Sequence, residues 1–385
     1  MSTTSAPPSP KPRRRWLQFS LRAMLALMLA FGAGFGWFAH QVQRAREQLI
    51  AARAIEKLPG GQVDFEPASG GMIPTAVAWV GKLLGEDLSV DVCRVSLANT
   101  QVTDAGLEHL RKLPQLETLY LDSAQVTDAG LENVRGLTQL ETLSLENTRV
   151  TDAGLQHVRR LTQLQGLYLD STRVADTGLA HLRRLTQLRW LNLARTPVTD
   201  AGLKHLRGLT QLQGLQLDST QVTDAGLEHL RGLTQLQGLS LGSSRVTDGG
   251  LEHLRGLTHL QSLFLGNTGV TDAGLEHLRG LTQLKRLYLA NTQVTDAGLT
   301  HLRGLTKLLV LSLSTDQVSD AGLAHLRGLT QLQGLYLDST LVTDAGLTNL
   351  RGMTLLWSVN LGNTQVSNVG VDELKKALPK CEIVR

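Results

Sequence analysis

The sequence of 385 residues has few of the residue types that cross-link a fold or fill a core with rings. It contains two cysteines, and aromatic residues make up 4% of the chain. Two cysteines cannot build a disulfide framework, and so few rings cannot form a largely aromatic core. The 38 glycines do not recur at every third position, which excludes a collagen-like chain, and the 42% apolar fraction excludes general disorder. We therefore expect a folded chain with an aliphatic core.

A basic surface is also lacking over most of the chain. The formal net charge is +4, but residues 1–57 alone carry nine Lys and Arg against two Glu. The remaining residues carry 29 positive and 32 negative charges, so the main body of the chain is nearly neutral. Nucleic-acid binding depends on a basic surface that contacts phosphates. We expect no nucleic-acid partner.

One long apolar run lies near the N-terminus. Residues 23–39 carry no charge, and as a helix they would span about 26 Å, close to the ~30 Å hydrocarbon core of a bilayer. Trp16 and Trp37 lie near the ends of this run, where interfacial aromatics are favoured. The pattern predicts an uncleaved transmembrane signal-anchor helix over residues 16–42. A cleaved signal peptide is the alternative, since it has the same order of basic and apolar segments.

The predicted anchor divides the chain into segments. Residues 1–15, rich in Ser, Pro and Arg, are expected to form a disordered basic tail. The excess of Lys and Arg before the apolar run favours a cytoplasmic N-terminus with the repeat domain outside the cytoplasm. A juxtamembrane helical stalk is expected over residues 43–58 and an N-terminal cap over residues 59–91. Residues 92–385 then form the repeat region and its C-terminal cap.

A 24-residue repeat dominates the sequence after residue 91. Segments of the type VTDAGL begin twelve times, every 24 residues from Val102 to Val366, without an insertion or deletion. We number the positions of each repeat 1 to 24, as in the unit from Val222 to Arg245. Positions 6, 9 and 12 are apolar at a spacing that indicates a short helix, and positions 18 and 20 form an L-x-L pattern typical of a strand.

Stacked copies of such a unit can bury an edge that a single copy cannot. The strands are expected to form one parallel sheet, curved with the strands on its concave side because helices are wider than the strand spacing. Within each unit, Asp at position 3 is predicted to cap the helix. Gly at position 5 is predicted to serve either close backbone packing or unusual backbone dihedrals, and Thr at position 23 is predicted to bond neighbouring turns.

The L-x-x-L-x-L-x-x-T pattern over residues 92–385 resembles the leucine-rich repeat family, in particular its ribonuclease-inhibitor-like and cysteine-containing subclasses. The resemblance implies an α/β fold, a right-handed solenoid with a curved parallel sheet on the concave side and short helices on the convex side. Together with the predicted N-terminal transmembrane helix, it implies a bacterial-type membrane-anchored interaction protein.

Catalytic and metal chemistry are not expected. No phosphate-binding loop, G-x-S-x-G or H-E-x-x-H motif is present. Asp, His, Arg and Thr recur in almost every repeat, whereas a catalytic group needs one singular arrangement. Nine His occupy position 8, but neighbouring helices are too far apart for a shared ion. We predict no enzyme activity, no metal and no cofactor.

The candidate binding residues are the side chains that the strands direct away from the core. Alternation sends positions 17 and 19 to the open side of the sheet, and aromatic and Arg side chains are frequent anchors of protein interfaces. The alternative is that exposed rings merely shield the sheet. The predicted ligand-binding residues are Tyr120, Tyr168, Trp190, Phe264, Arg286, Tyr288 and Tyr336.

These observations favour a membrane-anchored module that binds a protein, or less favourably a polysaccharide, on its concave face. A structural or spacer protein of the cell envelope is one alternative, and it would tolerate substitutions on that face. An F-box-like ubiquitin-ligase adaptor is another, disfavoured because only a short cap separates the stalk from the repeats and leaves no room for an F-box.

Overall fold

The structure is a computed structural model that describes residues 21–67, 72–85, 88, 90–315 and 317–385. The predicted basic tail and residues 16–20 of the predicted membrane segment lie outside the described residues. The chain divides into two compact units, Met1–Leu49 with Pro67–Val90, and Ile50–Glu66 with Asp91–Arg385.

Two helices precede the repeats. Helix α1, Leu21–Glu56, covers the described part of the predicted membrane segment and most of the predicted stalk. It ends shortly before Pro59, and the chain then turns through Gly60 with a φ of +80°. Helix α2 is Met72–Leu84. Within the part of the chain that the structure describes, no helix combines the length and the apolar character needed to cross a membrane.

The repeats build one continuous sheet, in which fourteen strands follow one another in chain order. The twelve strand pairs from β2 to β14 are parallel, and each joins equivalent positions of successive repeats, as Leu215 joins Leu239. The predicted parallel sheet is thus confirmed. The strands are β1 Gln62–Pro67, β2 Val90–Ser96, β3 Thr118–Tyr120, β4 Thr142–Ser144, β5 Gly166–Tyr168, β6 Trp190–Asn192, β7 Gly214–Gln216, β8 Gly238–Ser240, β9 Ser262–Phe264, β10 Arg286–Tyr288, β11 Val310–Ser312, β12 Gly334–Tyr336, β13 Ser358–Asn360 and β14 Glu382–Val384.

The helical part of each repeat is short and partly of the 3₁₀ type. A leucine every third residue matches the three residues per turn of a 3₁₀-helix better than the 3.6 of an α-helix. The α-helices are α3 Asp152–Leu155, α4 Asp176–Leu179, α5 Asp200–Leu203, α6 Asp224–Leu227, α7 Asp248–Glu252, α8 Asp272–Glu276, α9 Asp320–Ala324, α10 Asp344–Leu347 and α11 Asn368–Ala377. The 3₁₀-helices are Asp104–Lys112, Gly130–Val134, Val158–Arg160, Ala180–Arg184, Glu228–Leu230, Gly298–Leu302 and Thr348–Leu350.

The core is an aliphatic column that runs the length of the repeats. In the repeat that begins at Val222, the residues at positions 1, 6, 9, 12, 15, 18 and 20 are all fully buried or nearly so. The equivalent residues of the ten other repeats that begin between Val102 and Val342 belong to the same cluster. Ala52 and Ile55 of α1 are buried in this cluster at one end, and Leu374 and Cys381 at the other. The predicted stacking of leucines between helices and strands is confirmed.

The Asp at position 3 joins two repeats, and the prediction that it caps its own helix is wrong. The Oδ1 atom of Asp200 accepts a hydrogen bond from the backbone N–H of Thr223 (2.8 Å), and its Oδ2 atom accepts one from the Thr223 hydroxyl (2.6 Å). The Thr223 hydroxyl caps the next helix by accepting from the N–H of Ala225. Position 3 is the first helical residue rather than the cap, so its carboxylate is free to reach the following repeat.

The Gly at position 5 is required by this contact. A Cβ atom on Gly226 would lie 2.3 Å from the Oδ1 atom of Asp200 and 3.1 Å from a methyl group of Leu203. The same Asp contact faces the Gly of ten further repeats, with distances of 2.1–2.5 Å. Of the two explanations predicted for the Gly at position 5, close packing is confirmed.

The Thr at position 23 bonds its own repeat, and the prediction of a hydroxyl ladder between turns is wrong. The Thr220 hydroxyl donates to the carbonyl oxygen of Leu217 in the same repeat (2.6 Å). The residue before it, Ser219, has a φ of +55°, in the left-handed region. This turn directs the Thr hydroxyl back towards the end of its own strand.

Candidate functional site on the open sheet face

The face of the sheet opposite the leucine core carries two rows of side chains, from positions 17 and 19 of each repeat. We call it the open sheet face. The leucines between these rows, such as Leu239, are buried, while Gly238 and Ser240 on either side of it are partly exposed. Because the strands pair in register, side chains of one row follow each other at the strand spacing of about 4.8 Å. Neighbouring side chains in a row can therefore stack.

Two such rings do stack. Phe264 and Tyr288 occupy position 19 of strands β9 and β10, which pair directly. Their ring centroids are 4.5 Å apart and their planes differ by 6°. The ring planes are therefore roughly perpendicular to the direction of the row, and one face of the Phe264 ring points towards β8.

Trp190 lies over the neighbouring strand. A Cβ atom on Gly214 would be 2.2 Å from the Cε3 atom of the Trp190 indole, so only glycine at this position leaves room for the ring. The side chain of Trp190 is 46% exposed. It therefore presents a large apolar surface above β7 that is open to solvent.

A cavity of about 330 Å³ lies on this face between Trp190 and Phe264. Its walls include Tyr168 and Trp190 at one end and Phe264 and Arg286 at the other. Small residues on β8 leave the space between them open, and a Cβ atom on Gly238 would meet nothing within 4 Å. The remaining lining is Leu191, Asn192, Gly214, Leu215, Gln216, Gln237, Gly238, Leu239, Ser240, Gln261 and Ser262.

The structure brings together five of the seven predicted binding residues. Four of them line the cavity, and Tyr288 stacks behind Phe264. Tyr120 on β3 and Tyr336 on β12 are on the same face but outside the lining. Ligand binding by these seven residues remains a prediction.

Sequence reasoning missed the small and polar residues that line the cavity and leave it open. Gly214 and Gly238 have no side chain, so nothing projects from the sheet at position 17 of two successive strands. The polar side chains are those of Gln216 and Ser240. The signal was available, since two consecutive repeats with Gly at position 17 are flanked by Trp190 and Ser262.

The acidic residues near the cavity are engaged within the protein. Asp170, which is 7% exposed, pairs with Arg195, and Glu146 accepts a hydrogen bond from the side-chain amide of Asn192 (2.9 Å). Burial raises the pKa of Glu146, with repulsion from Asp122 and Asp170 adding to the rise and the Asn192 hydrogen bond opposing it. Burial also raises the pKa of Tyr168. Among the lining residues, the only charged side chain is Arg286.

Six of the nine histidines at position 8 contact an arginine of the preceding repeat. Arg183 donates through Nε to the Nδ1 atom of His205 in the next repeat (3.1 Å), and Arg231 does so to His253 (3.0 Å). The pKa of His205 is lowered, first by partial burial and then by the Arg183 charge. Among the described residues, no group of three potential ligands lies close enough to hold a metal ion. This row joins repeats on the side opposite the cavity.

The two cysteines are both free thiols. Cys93 donates to the carbonyl oxygen of Asp64 (3.4 Å), and Cys381 is buried at the C-terminal end of the core. Burial is the main cause that raises the pKa of each thiol. A raised pKa disfavours the reactive thiolate, so neither cysteine has the environment of a nucleophile.

Comparison with known proteins identifies the repeat. The model of the leucine-rich repeat region matches residues 83–320, more than half of the chain. No curated protein matches the sequence. Among solved structures, an internalin (inlF) from Listeria monocytogenes is similar, with 24% identity and a TM-score of 0.60 over 81% of this chain and 94% of the internalin.

A leucine-rich repeat protein from Leptospira interrogans is also similar, with 19% identity and a TM-score of 0.50 over 75% of this chain and 83% of that one. At such identities the two structures support the fold alone. Together with the 24-residue repeat, the parallel sheet and the leucine core, the family match shows that the chain belongs to the leucine-rich repeat family.

Proposed function

We propose that this protein binds a protein partner on the open sheet face. Leucine-rich repeat domains are typically protein–protein interaction modules and are generally not enzymes. The observation that carries the proposal is the cavity between Trp190 and Phe264, where a preformed, largely apolar surface is open to solvent. In this proposal the open sheet face is the concave side of a right-handed solenoid, and its rigid strands hold the binding side chains in place.

The residues proposed as anchors are those that the structure gathers at the cavity. Rigid aromatic side chains lose little entropy when they are covered by a partner, and aromatic and Arg residues dominate many interfaces. Trp190 and Arg286 are both exposed at the cavity. Tyr120 and Tyr336 would extend the contact along the same row.

Truncation of Trp190 should therefore weaken partner binding. The experiment uses the full-length chain as bait, identifies captured proteins, and measures the dissociation constant of the purified partner. We expect Trp190→Ala to raise the Kd at least 10-fold, about what the loss of one interface anchor causes, with an unchanged melting temperature.

Trp357→Ala is the matched control for this experiment. Trp357 is also an exposed indole, 55% accessible, next to strand β13 and outside the cavity lining. Its truncation should leave the Kd within twofold. Equal affinities for Trp190→Ala and the parent chain would reject the cavity as the binding site. Binding of a polysaccharide in place of a protein, or tolerance of every substitution on this face, would instead favour the alternative functions.

We also propose, on the sequence alone, that residues 16–42 anchor the chain in a membrane with the N-terminus in the cytoplasm. The support is the charge-free run of residues 23–39 and the basic residues that precede it. The Leu27→Arg, Leu29→Arg double variant should move the protein from the alkali-resistant membrane fraction to the supernatant. The Leu→Ile replacements at both positions are the control and should keep it in the membrane. A parent chain found in the supernatant would contradict the anchor.

A further inference from the structure

One face of the Phe264 ring has no aromatic ring beside it, because the neighbouring strand β8 carries a serine in this row. Tyr288 covers one face of the Phe264 ring, and the next residue of the row in the other direction is Ser240 on β8. Ser240 is partly exposed, whereas Ser144 and Ser312, which lie between two tyrosines of the same row, are 4% and 6% exposed. The gap above Ser240 is thus the place in this row where a small residue is not covered by its neighbours.

The width of this gap suits one planar group. The residues at position 19 of β7 and β9, Gln216 and Phe264, are separated by two strand spacings, about 9.6 Å. A ring in van der Waals contact on both faces needs about 7 Å. Gly238 keeps the adjoining space free, and Trp190 closes the far side above β7. A ring inserted here would continue the stack of Tyr288 and Phe264 with a spacing close to their own.

The positive charge of Arg286 at the edge of the cavity indicates which group of a ligand would lie beside the inserted ring. Arg286 is exposed, with its Nη1 atom 3.4 Å from the Ser262 hydroxyl, and it has no acidic neighbour among the lining residues. Lys285 is the preceding residue and donates to Gln261. A guanidinium of this kind is complementary to a carboxylate, which it can hold through two parallel hydrogen bonds.

From this geometry we infer that the gap above Ser240 binds an aromatic side chain of an acidic peptide segment, whose neighbouring carboxylate pairs with Arg286. This inference rests on the proposed function, because it names the chemistry of the partner at the same site. The ring stacks on Phe264 and covers Gly238, and the carboxylate remains at the solvent edge of the cavity.

The experiment tests the gap by filling it with a side chain of the protein itself. Ser240→Tyr places a ring where the row already carries Tyr120, Tyr168, Tyr288 and Tyr336, so the variant is expected to fold. Asp218 loses the Ser240 hydroxyl but keeps its hydrogen bond from the Gly242 N–H (3.0 Å). The probe is a phage-displayed library of random dodecapeptides, selected on the full-length parent chain.

We expect the selected peptides to share an aromatic residue next to Asp or Glu. Their binding should fall at least 10-fold on Ser240→Tyr, and Arg286→Gln should weaken it and reduce its salt dependence. Asn360→Tyr is the matched control. Asn360 lies beside the ring of Tyr336 in the row, as Ser240 lies beside the ring of Phe264. It donates to Asp338 of the preceding repeat (3.1 Å), as Ser240 donates to Asp218. Asn360→Tyr should leave binding unchanged. If Ser240→Tyr melts at a lower temperature than the parent, Gly238→Val replaces it, since Val310 occupies that position natively.

Three results would overturn the inference: selection of no peptides, selection of peptides without an aromatic residue, or equal binding to the parent and Ser240→Tyr chains. These results are distinct from failure of the proposed function. A captured protein partner that depends on Trp190 but not on Ser240 would keep the proposed function and reject the aromatic gap. A partner that is insensitive to Trp190 would reject the proposed site itself.

Discussion

Gly226→Ala should lower the free energy of unfolding by about 2 kcal/mol. The new methyl group would lie 2.3 Å from the Oδ1 atom of Asp200, which is held by two hydrogen bonds from Thr223. Either the carboxylate moves and these bonds are lost, or the two repeats separate. Alanine is the better helix former by up to about 1 kcal/mol, which offsets part of the cost. Urea unfolding followed by circular dichroism measures the difference.

Gly232→Ala is the control within the same repeat. A Cβ atom on Gly232 would meet nothing within 4 Å, and its φ is not in the left-handed region. This substitution should be neutral or should stabilise the protein by up to about 1 kcal/mol, because it reduces the freedom of the unfolded chain. Equal unfolding midpoints for the two variants would mean that position 5 is not under steric constraint.

Asp200→Ala should cost about 2 kcal/mol of folding free energy, because it leaves a backbone N–H and the hydroxyl of Thr223 without their acceptor. Its combination with Gly226→Ala provides the sharper test. Once the carboxylate is gone, the nearest remaining atom to the alanine methyl group is a methyl carbon of Leu203 at 3.1 Å. The double variant should therefore be less destabilised than the sum of the two single variants, by about 1 kcal/mol or more.

Additive effects would contradict this coupling. Asp218→Ala serves as the comparison in the same double-variant cycle, since the Oδ1 atom of Asp218 accepts from Gly242 on the strand side and does not face Gly226. Its combination with Gly226→Ala should be additive within about 0.5 kcal/mol. The contrast separates a specific contact across the repeat boundary from a general loss of stability in the repeats.

The architecture could be predicted because it follows from a pattern repeated twelve times. The L-x-L of each repeat fixes which side chains are buried, and the constant 24-residue period fixes the register of each strand against the next. The predicted aromatic row was located correctly for the same reason. Each of these conclusions depends on which residue type occupies a position and not on where its side-chain atoms lie.

Polar contacts and gaps could not be predicted in that way. The sequence shows Thr, Asp and Gly at positions 2, 3 and 5 of most repeats, but it does not show whether the carboxylate of Asp200 turns towards its own helix or the next one. The left-handed residue before Thr220 was missed because Ser, Asn and Arg195 share that position, and none of them demands a positive φ. The cavity was missed because it depends on how Trp190 leans over Gly214, which is a property of three neighbouring repeats together.

The bonds between repeats have a further consequence for how such a gene can change length. Each bond of the Asp200 type joins position 3 of one unit to position 2 of the next, so removal or duplication of 24 residues in frame recreates the same junction. Recombination between the near-identical copies would then yield chains of different length in which the hydrogen bonds between neighbouring repeats are preserved. An exchange among strands β5 to β10 would alter the order of the side chains that line the cavity, so a change in repeat number there would also change the shape of the cavity.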